Sequence, residues 1–485
     1  MSPGLQTVDL PPLSLESFAP LVGATALQEL HGRAEAVRRL LRGRVCWNIN
    51  STAVGGGVVE MLQPLLRYTR GAGIDTRWAV IQGSPEFFRI TKRLHHALHG
   101  SKGDGSELDA AARRSYEGTL EANARELCRV VQPRDIVILH DPQTAGLAAA
   151  LLQIGARVIW RCHIGCDDRN DETERGWRFL APFLANVDCC VFSRAAYVPS
   201  SLATWPHRVI QPSIDPFSAK NRELEEAVIH TLLVQSGIVE GPPPDPARAD
   251  FLRADGSAGR LEHQADVVRM GRAPAWDTPL VVQVSRWDPL KDPSGVMRGF
   301  AQLVNGHAPS NAELVLAGPN VSAVRDDPEG AETWESTIRA WRALPHTVRN
   351  RIHLVCLPMA DIEENAILVN ALQRHARVVV QKSLREGFGL TVSEAMWKAR
   401  PVLASRVGGI QDQIEDGKNG VLLRDPKDPD EFAGRLRVLL GDSATRTRLG
   451  AAARERVAER FLSIRHLNEY SRLVTEIDAV AEHAR

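Results

Sequence analysis

Residues 44–82 read RVCWNINSTAVGGGVVEMLQPLLRYTRGAGIDTRWAVIQ, and this stretch decides the class of fold. It begins with a short apolar run, continues through a glycine-rich loop, and then carries apolar residues at helical spacing from 58 to 70. Gly71 is a typical helix end, and a second apolar run follows at 75–82. A strand, a helix and a strand in this order predict a βαβ unit with parallel strands.

The same alternation continues along the chain in two series, separated by a stretch of different composition. This stretch, 236–276, is rich in Pro, Gly and Asp and lacks periodicity, which is typical of a linker or a surface insertion. The predicted fold class is therefore α/β, with two doubly wound Rossmann-like domains that face a cleft. Further predicted strands occupy 135–140, 156–162, 187–192, 208–211, 280–285, 312–318, 351–357, 376–381, 400–405 and 420–423.

This division predicts five segments along the chain. Residues 1–42 form an N-terminal extension, 43–235 the first Rossmann-like domain, and 236–276 the linker. Residues 277–460 form the second Rossmann-like domain, and a C-terminal helix at 461–485 is expected to cross back to the first. Ligands of such sheets lie at the carboxyl ends of the strands, so the loops that follow the strands are the expected place for chemistry.

Composition and charge exclude several functional classes. The 485 residues include 59 Lys+Arg and 59 Asp+Glu, so the chain lacks the basic excess of proteins that bind nucleic acid or anionic membranes. No apolar run approaches the roughly 18 residues needed to cross a bilayer. The first 20 residues lack the basic and apolar parts of a secretory signal. We expect a cytoplasmic protein without nucleic-acid or membrane partners, for which a homodimer is compatible with the sequence.

The cysteines and histidines are not expected to bind metal. The 7 cysteines do not have the density of a disulfide framework. The pairs at 162/166 and 189/190 lie beside or inside predicted strands, where a buried free cysteine acts as a small hydrophobic residue. His95 and His99 stand four positions apart, but the surrounding spacings are not those of a zinc site.

The strongest chemical motif is REGFGLTVSEAM at 385–396, which closely follows a predicted strand. Gly387 and Gly389 allow the backbone to approach a ligand closely. A helix is predicted to start near Thr391, and its N–H groups and positive dipole end suit a phosphate.

Two carboxylates flank this proposed phosphate position. Glu386 would lie at the mouth of the loop, near a sugar, and Glu394 in the first turns of the helix, near a ribose. The alternative is a capped strand-to-helix turn with a surface glutamate.

A second motif, SRWDPLKD at 285–292, follows another predicted strand. Arg286 and Lys291 are five positions apart in this loop. Two fixed cations suit a diphosphate, the arginine through its planar fork and the lysine as a point charge. A solvated basic loop is the alternative, and the presence of the first motif in the same half of the chain favours the diphosphate.

Together these motifs resemble the glutamate, seven-residue spacer, glutamate signature of retaining nucleotide-sugar glycosyltransferases, which have the two-Rossmann GT-B architecture. Earlier in the chain, NINSTAVGGGVVEML, HDPQTAGL, WRCHIGCDD and PSIDPFSAKNREL resemble the trehalose glycosyltransferring synthases and the related retaining trehalose phosphorylases. The resemblance spans roughly residues 44 to 475.

The resemblance implies an enzyme, a retaining glucosyltransferase that forms trehalose from ADP-glucose or UDP-glucose and free glucose. The first domain would bind the acceptor and the second the nucleotide-sugar. One alternative is a retaining trehalose phosphorylase, which converts trehalose and phosphate to glucose 1-phosphate and glucose. Another is a non-catalytic sugar-nucleotide-binding protein. A Rossmann oxidoreductase ranks last, because its G-x-G-x-x-G fingerprint is absent.

The resemblance also implies residue roles. Glu386 would hold hydroxyls of the donor glucose, while Asp141 and His163, each following a predicted strand, would bind sugar hydroxyls. Arg286 and Lys291 would neutralise the leaving diphosphate, so that no metal or other cofactor is required. Retention would come either from acceptor attack on the face that the diphosphate leaves or through a covalent carboxylate intermediate.

Most of the other implied contacts to the donor come from the backbone. Glycines 55–57 of the first domain would lie under the acceptor and the phosphates. In the second domain, the backbone of residues 387–389 would contact the sugar, and the N–H groups of Leu390 and Thr391 would bind phosphate oxygens. Glu394 would accept hydrogen bonds from the ribose. The implied set is Gly55, Gly56, Gly57, Arg286, Lys291, Gly387, Phe388, Gly389, Leu390, Thr391 and Glu394.

Overall fold

The chain forms two compact α/β units, each with its own sheet and core. A computed structural model describes residues 5–244, 250–306, 311–321 and 328–483. The first unit comprises Met1–Asp215 and Phe461–Arg485, and the second comprises Pro216–Arg460.

A seven-stranded sheet forms the centre of the first unit. Its strands are β1 (Gln6–Val8), β2 (Cys46–Asn50), β3 (Thr76–Val80), β4 (Ile136–His140), β5 (Arg157–Cys162), β6 (Cys189–Phe192) and β7 (His207–Val209). They lie in the order β1-β3-β2-β4-β5-β6-β7. β1 pairs antiparallel with β3, and the other neighbours are parallel. Counted from β2, the order begins 2-1-3-4-5, as in flavodoxin-like doubly wound sheets.

Helices cover both faces of this sheet. They are α1 (Ala19–Leu40), α2 (Gly57–Gly71), α3 (Pro85–Leu98), α4 (Ala110–Leu127), α5 (Ala148–Gln153) and α6 (Asp171–Leu184), with 3-10 turns at Leu15–Phe18, Ala145–Leu147, Ala195–Tyr197 and Ser200–Leu202. Local sequence sets several helix starts: Ser84 caps α3 through the N–H of Phe87, and Asn170 and Thr173 form a capping box on α6.

The central strands β2, β4, β5 and β6 of the first sheet are buried on both faces, which explains their nearly continuous apolar sequences. Leu139 and Trp160 belong to the cluster that packs under α3, α4 and α6. Their neighbours Ile138 and Ile159 point to the other face, where Val37 of α1 and residues near the C-terminus cover them. The alternation along each strand thus divides the apolar residues between two cores.

The second unit also contains a seven-stranded sheet, together with a small hairpin. Its strands are β8 (Asp250–Leu252), β9 (Ala258–Arg260), β10 (Asp266–Val268), β11 (Leu280–Val284), β12 (Glu313–Pro319), β13 (Ile352–Leu357), β14 (Val378–Gln381), β15 (Val402–Ser405) and β16 (Val421–Leu423). β8 and β9 form the hairpin, and the large sheet has the order β10-β13-β12-β11-β14-β15-β16. β10 is antiparallel to β13, and the rest, counted from β11, have the Rossmann order 3-2-1-4-5-6.

The remaining helices follow this second series of strands. They are α7 (Glu226–Gln235), α8 (Pro293–Asn305), α9 (Pro328–Arg342), α10 (His346–Arg349), α11 (Ile362–His375), α12 (Leu390–Trp397), α13 (Ile410–Gln413), α14 (Pro429–Gly441), α15 (Ser443–Arg460) and α16 (Ser463–His483), with a 3-10 turn at Pro289–Lys291. α16 belongs to the first unit, where Leu473, Val474 and Ile477 pack in the same cluster as Val37 of α1.

The predicted fold class, two doubly wound α/β domains, is confirmed, and each predicted strand overlaps an observed one. The strands that the sequence did not predict are β1, β8, β9 and β10. Each has three residues, too few for a period-two pattern to stand out from the surrounding loop.

The division of the chain differs from the predicted boundaries at 235 and 276. The second unit begins at Pro216, because α7 packs against α11 through buried residues such as Leu232. Within the predicted linker, β10 adds an edge strand to the second sheet, where Asp266 pairs with Cys356. Parts of the predicted N-terminal extension, linker and C-terminal helix lie outside the described residues.

Candidate functional site

The glycine loop between β14 and α12 is held in one conformation by its neighbours. α12 begins at Leu390, one residue before the predicted start, and Gly389 caps it with φ 84° and ψ 62°, a left-handed conformation that favours glycine. The carbonyl of Gly387 accepts a hydrogen bond from the N–H of Gly409 at 3.0 Å. Gln413 donates to the carbonyl of Phe388 at 2.5 Å. The loop therefore presents the start of α12, where N–H groups lack intrahelical partners, in a fixed orientation.

Glu386 and Lys291, predicted from two separate motifs, are in direct contact. Lys291 Nζ lies 2.6 Å from Glu386 Oε2, and the hydroxyl of Ser383 donates to the same oxygen at 3.1 Å. The side chains are 15% and 10% exposed, so the ion pair is largely shielded from water yet still accessible. A carboxylate beside an ammonium can accept hydrogen bonds from sugar hydroxyls while the ammonium binds an anion.

Hydrogen bonds and an ion pair of Gln283, Lys382 and Asp292 fix the backbone around Lys291. The side chain of Gln283 donates to the carbonyl of Lys291 at 2.9 Å and accepts from the N–H of Lys382 at 3.0 Å. The buried ammonium of Lys382 pairs with Asp292, which has φ 48° and caps α8 through the N–H of Gly295. These three residues were not predicted as part of the site. The only signal for Gln283 is one polar residue within the buried strand LVVQV.

Hydroxyl and amide groups connect the start of α12 to the ion pair. The hydroxyl of Thr391 donates to Gln381 Oε1 at 3.0 Å, and Gln381 Nε2 donates to the hydroxyl of Ser383 at 3.0 Å. Ser383 in turn contacts Glu386. This chain of hydrogen bonds connects the carboxylate to the predicted phosphate-binding turn.

Arg286 and Glu394 occupy different environments. Arg286 is 60% exposed and pairs with Asp288 of its own loop at 3.1 Å. Glu394 lies on α12 with a side chain that is 4% exposed, and its Oε1 is 3.8 Å from Nζ of Lys220, a residue to which the sequence assigned no role.

In the first unit, Asp141 and His163 meet at the carboxyl ends of β4 and β5. Asp141 has φ 64°, and its carboxylate accepts a hydrogen bond from the backbone N–H of His163 at 2.7 Å. The ring of His163 lies 3.2 Å from that of His140, and the far nitrogen of His140 contacts Asn48 Oδ1 at 3.1 Å. The sequence did not predict His140 or Asn48, because both lie inside strands that read as apolar.

Burial determines the charges of this cluster. It raises the pKa of Asp141 to about 7, although the N–H of His163 and the charge of Arg161 oppose the change. Burial, reinforced by the guanidinium of Arg161, lowers the pKa of His140 to about 3 and that of His163 well below its ordinary value. The imidazoles are therefore neutral near pH 7, and each can both donate and accept a hydrogen bond, which suits a sugar hydroxyl.

These shifts predict that acid destabilises the first unit. His140, His163 and His466 have lowered pKa values in the folded chain, so the unfolded chain binds more protons below about pH 6.5 and stability is lost as the pH falls. Asp141 has a raised pKa in the folded chain, so it carries a proton there near pH 5 and releases it on unfolding. This release offsets the proton taken up by one of the three histidines. Unfolding should therefore take up roughly two protons near pH 5, about 2.7 kcal/mol per pH unit.

The measurement is the free energy of unfolding as a function of pH between pH 5 and 7. Unfolding is monitored with a signal that reports on the first unit. Replacing His466, which contacts the hydroxyl of Ser213 at 2.9 Å, in His466→Gln should reduce proton uptake by roughly one. An unchanged slope in that variant would show that His466 does not titrate as described.

The glycines at the start of α2 form an exposed turn with positive φ angles. Gly55 and Gly56 have φ 73° and 85°, and α2 begins at Gly57 with 15 residues. Among the described atoms, none lies within 4 Å of the position of a Cβ at Gly55 or Gly56. The turn is exposed, so a ligand could approach its N–H groups.

The described residues contain no group of three or more His, Cys, Asp or Glu side chains arranged to hold a metal ion. The rings of His95 and His99 are 4.8 Å apart, and His99 Nδ1 contacts the carbonyl of Gly165 at 3.0 Å. All seven cysteines fall within the described ranges and are free thiols. In these ranges, no helix combines the length and apolar character needed to traverse a bilayer.

Both units match known families. Residues 48–199 match the family described as trehalose synthase, N-terminal domain, and residues 272–456 match glycosyl transferases group 1. The trehalose synthase of Rubrobacter xylanophilus is 35% identical over 452 residues, which cover 93% of this chain and 94% of that protein. A trehalose phosphorylase of Pleurotus pulmonarius is 26% identical over 434 residues, which cover 84% of this chain and 54% of that protein.

Among solved structures, an α,α-trehalose-phosphate synthase (UDP-forming) from Burkholderia vietnamiensis superimposes with a TM-score of 0.65. Its sequence identity is 17%, and the match covers 90% of this chain and 99% of that one, so it shows the fold alone. The architecture and the group 1 match define a glycosyltransferase with the GT-B fold. The identity to the Rubrobacter protein extends over almost the whole chain. The chain belongs to the trehalose synthase family.

Proposed function

We propose that this protein is a retaining glucosyltransferase that forms trehalose from a nucleoside-diphosphate glucose, ADP-glucose or UDP-glucose, and free glucose. The observation that carries the proposal is the contact between Glu386 and Lys291, 2.6 Å apart, beside the glycine loop that precedes α12. A sugar-binding carboxylate and a phosphate-binding ammonium at the start of a helix are what a sugar diphosphate requires.

The donor half of the reaction follows from these groups. When the anomeric bond breaks, positive charge grows on the sugar ring and negative charge on the diphosphate. Lys291 and the N–H groups of Leu390 and Thr391 would stabilise the diphosphate, with Arg286 adding charge from its exposed position. Glu386 would hold the glucose through its hydroxyls, and the backbone of Gly387 to Gly389 would contact the ring.

The acceptor half is assigned to the first unit. Asp141 and the neutral ring of His163 offer a carboxyl group and an imidazole within one hydrogen-bonded cluster. Such a pair can orient a hydroxyl and accept its proton as the new glycosidic bond forms. The pKa of Asp141, raised to about 7, is close to that of an effective acid or base at neutral pH.

One close packing contact gives a test of the donor loop. A Cβ at Gly409 would lie 2.7 Å from the Cα of Phe388 and 3.0 Å from the carbonyl oxygen of Gly387, so alanine there must displace the loop. Gly409→Ala should lower kcat/KM for the nucleotide-sugar by about a hundredfold, because small misplacements of a catalytic loop cost that much.

The matched control is Gly434→Ala on α14. A Cβ at Gly434 meets no described atom within 4 Å, so this variant should keep full activity and gain about 0.5–1 kcal/mol of stability. Wild-type kinetics in Gly409→Ala would contradict the claim that the loop must keep its position.

The similarity to a trehalose phosphorylase favours one second candidate. In that reaction, phosphate and trehalose would use the same pocket and give glucose 1-phosphate and glucose. Lys291 and the start of α12 would then face phosphate, and Glu394 would have no ribose to bind.

Two parallel reactions separate the candidates. In the first, purified protein is incubated with glucose and ADP-, UDP- or GDP-glucose, and a non-reducing disaccharide is measured. In the second, it is incubated with trehalose and phosphate, and glucose 1-phosphate is measured. Product in the first reaction supports the proposal, and product in the second alone supports the phosphorylase. Tight nucleotide-sugar binding with product in neither would favour a non-catalytic binding protein.

A further inference from the structure

A buried polar network lies beneath Glu394, and no step of the proposed reaction uses it. Lys398, at the end of α12, is 2% exposed, and its ammonium makes three hydrogen bonds. It donates to Gln373 Oε1 at 2.8 Å, to Asn221 Oδ1 at 3.2 Å and to the backbone carbonyl of Glu394 at 3.1 Å. These three bonds connect α11, α12 and the segment that opens the second unit.

The same segment, residues 219–222, is fixed through its backbone. Asn370 on α11 donates to the carbonyls of Ala219 and Arg222, each at 2.9 Å. The indole of Trp397 donates to the carbonyl of Asn221 at 3.2 Å. Bonds from two helices to three carbonyls of this turn leave its backbone little freedom. The backbone of Lys220 is therefore held in place on both sides.

This anchoring places Lys220 beside the carboxylate of Glu394. The two charged groups are 3.8 Å apart, and the lysine and glutamate side chains are 19% and 4% exposed. Lys398 contacts the backbone carbonyl of Glu394, and burial lowers the pKa of the Lys398 ammonium. Lys220 thus places an ammonium near Glu394 Oε1, and its side chain, unlike that of Lys398, is partly exposed to solvent.

We propose that Lys220 is a positioning residue of the nucleotide site: it orients the carboxylate of Glu394 so that this group accepts hydrogen bonds from the hydroxyls of a ribose. This inference rests on the proposed function, in which Glu394 binds the ribose. A cation 3.8 Å from one oxygen of a largely buried carboxylate attracts that oxygen and so favours one orientation of the group. Lys220 would then contribute to discrimination between ribose and 2′-deoxyribose.

The test is calorimetric binding of a nucleoside diphosphate and its 2′-deoxy analogue, with ADP, UDP and GDP compared first on the wild-type protein. We expect the wild type to prefer the ribonucleotide by about tenfold or more, the value of a charge-assisted hydrogen bond. Lys220→Met should reduce that preference at least fivefold, mainly by weakening the binding of the ribonucleotide. Lys220→Arg, which keeps the cation, should retain it within about twofold.

The matched control is Lys418→Met, which removes a lysine that pairs with Glu415 at 2.9 Å on the surface of the same unit. It should leave both affinities unchanged. Melting temperatures check folding, and Lys220→Gln provides a second variant that keeps a polar side chain. If Lys220 had only a structural role, its replacement would weaken the binding of both nucleotides equally or leave both affinities unchanged.

The outcomes separate this inference from the function on which it rests. A wild type that prefers the ribonucleotide, with the same preference in Lys220→Met and Lys220→Gln, overturns the role of Lys220 and leaves the proposed function standing. A wild type that binds none of the three nucleoside diphosphates overturns the proposed function and this inference together.

Discussion

Replacing Glu386 by alanine is expected to reduce turnover by orders of magnitude while the protein stays folded. The carboxylate lies at the loop mouth, bonded to Lys291 and Ser383, where it would hold the hydroxyls of the donor glucose. Loss of one preorganised polar group at the reacting centre costs about 100- to 1,000-fold in kcat. Here the variant also leaves the Lys291 ammonium without this carboxylate, so the charge balance against the diphosphate changes as well.

Folding should survive, because a lost hydrogen bond to a charged group costs about 1.5–3 kcal/mol, within the usual stability of a domain. The matched control is Glu415→Ala, which removes another glutamate that pairs with a lysine in the second unit. The control should turn over normally. A near-normal initial rate for Glu386→Ala, with the nucleotide-sugar at saturation, would remove the role assigned to this residue.

Replacing Lys291 by alanine should weaken use of the nucleotide-sugar far more than binding of glucose. The ammonium is largely shielded from water and pairs with Glu386, while Gln283, Lys382 and Asp292 hold the backbone around Lys291 in place. Loss of a charge-assisted bond to a diphosphate should raise the donor KM by about 10- to 100-fold. The acceptor KM should change little, because glucose is assigned to Asp141 and His163.

The split between the two KM values is the decisive readout for Lys291→Ala. Lys427→Ala, on the loop before α14, serves as the control for a general loss of positive charge. Unchanged donor kinetics would refute the diphosphate assignment, and an equal rise in both KM values would point to a disturbed fold instead. Combined with Glu386→Ala, the effects should be less than additive, because the two side chains share one contact.

The sequence predicted most of the fold because its strands are long enough to show a pattern. β2, β4 and β11 each have five buried residues, and such runs between amphipathic helices predict parallel sheets. The three-residue strand β10 could not be found in this way, since its pairing with β13 depends on a contact 90 positions away, between Asp266 and Cys356. The sequence does not show that α7 groups with the second unit, because its packing on α11 joins segments that lie far apart in the chain.

In the candidate site, the sequence identified loops better than it identified the contacts that hold them. Glu386 and Lys291 were both proposed from motifs at strand ends, and the parallel sheet brings them together. Gln283 and Lys382 were missed, because a polar residue in a strand gives no hint of a partner 99 positions away. Lys220 was missed for the same reason: its carboxylate partner lies on a helix that the chain reaches much later.

A crystal structure of the protein with glucose and the nucleoside diphosphate that it binds most tightly would test the proposed donor site most directly. We expect oxygens of the diphosphate to lie within hydrogen-bonding distance of the N–H groups of Leu390 and Thr391, with the ammonium of Lys291 also in contact. A diphosphate bound elsewhere, with these three groups facing only solvent, would contradict this expectation.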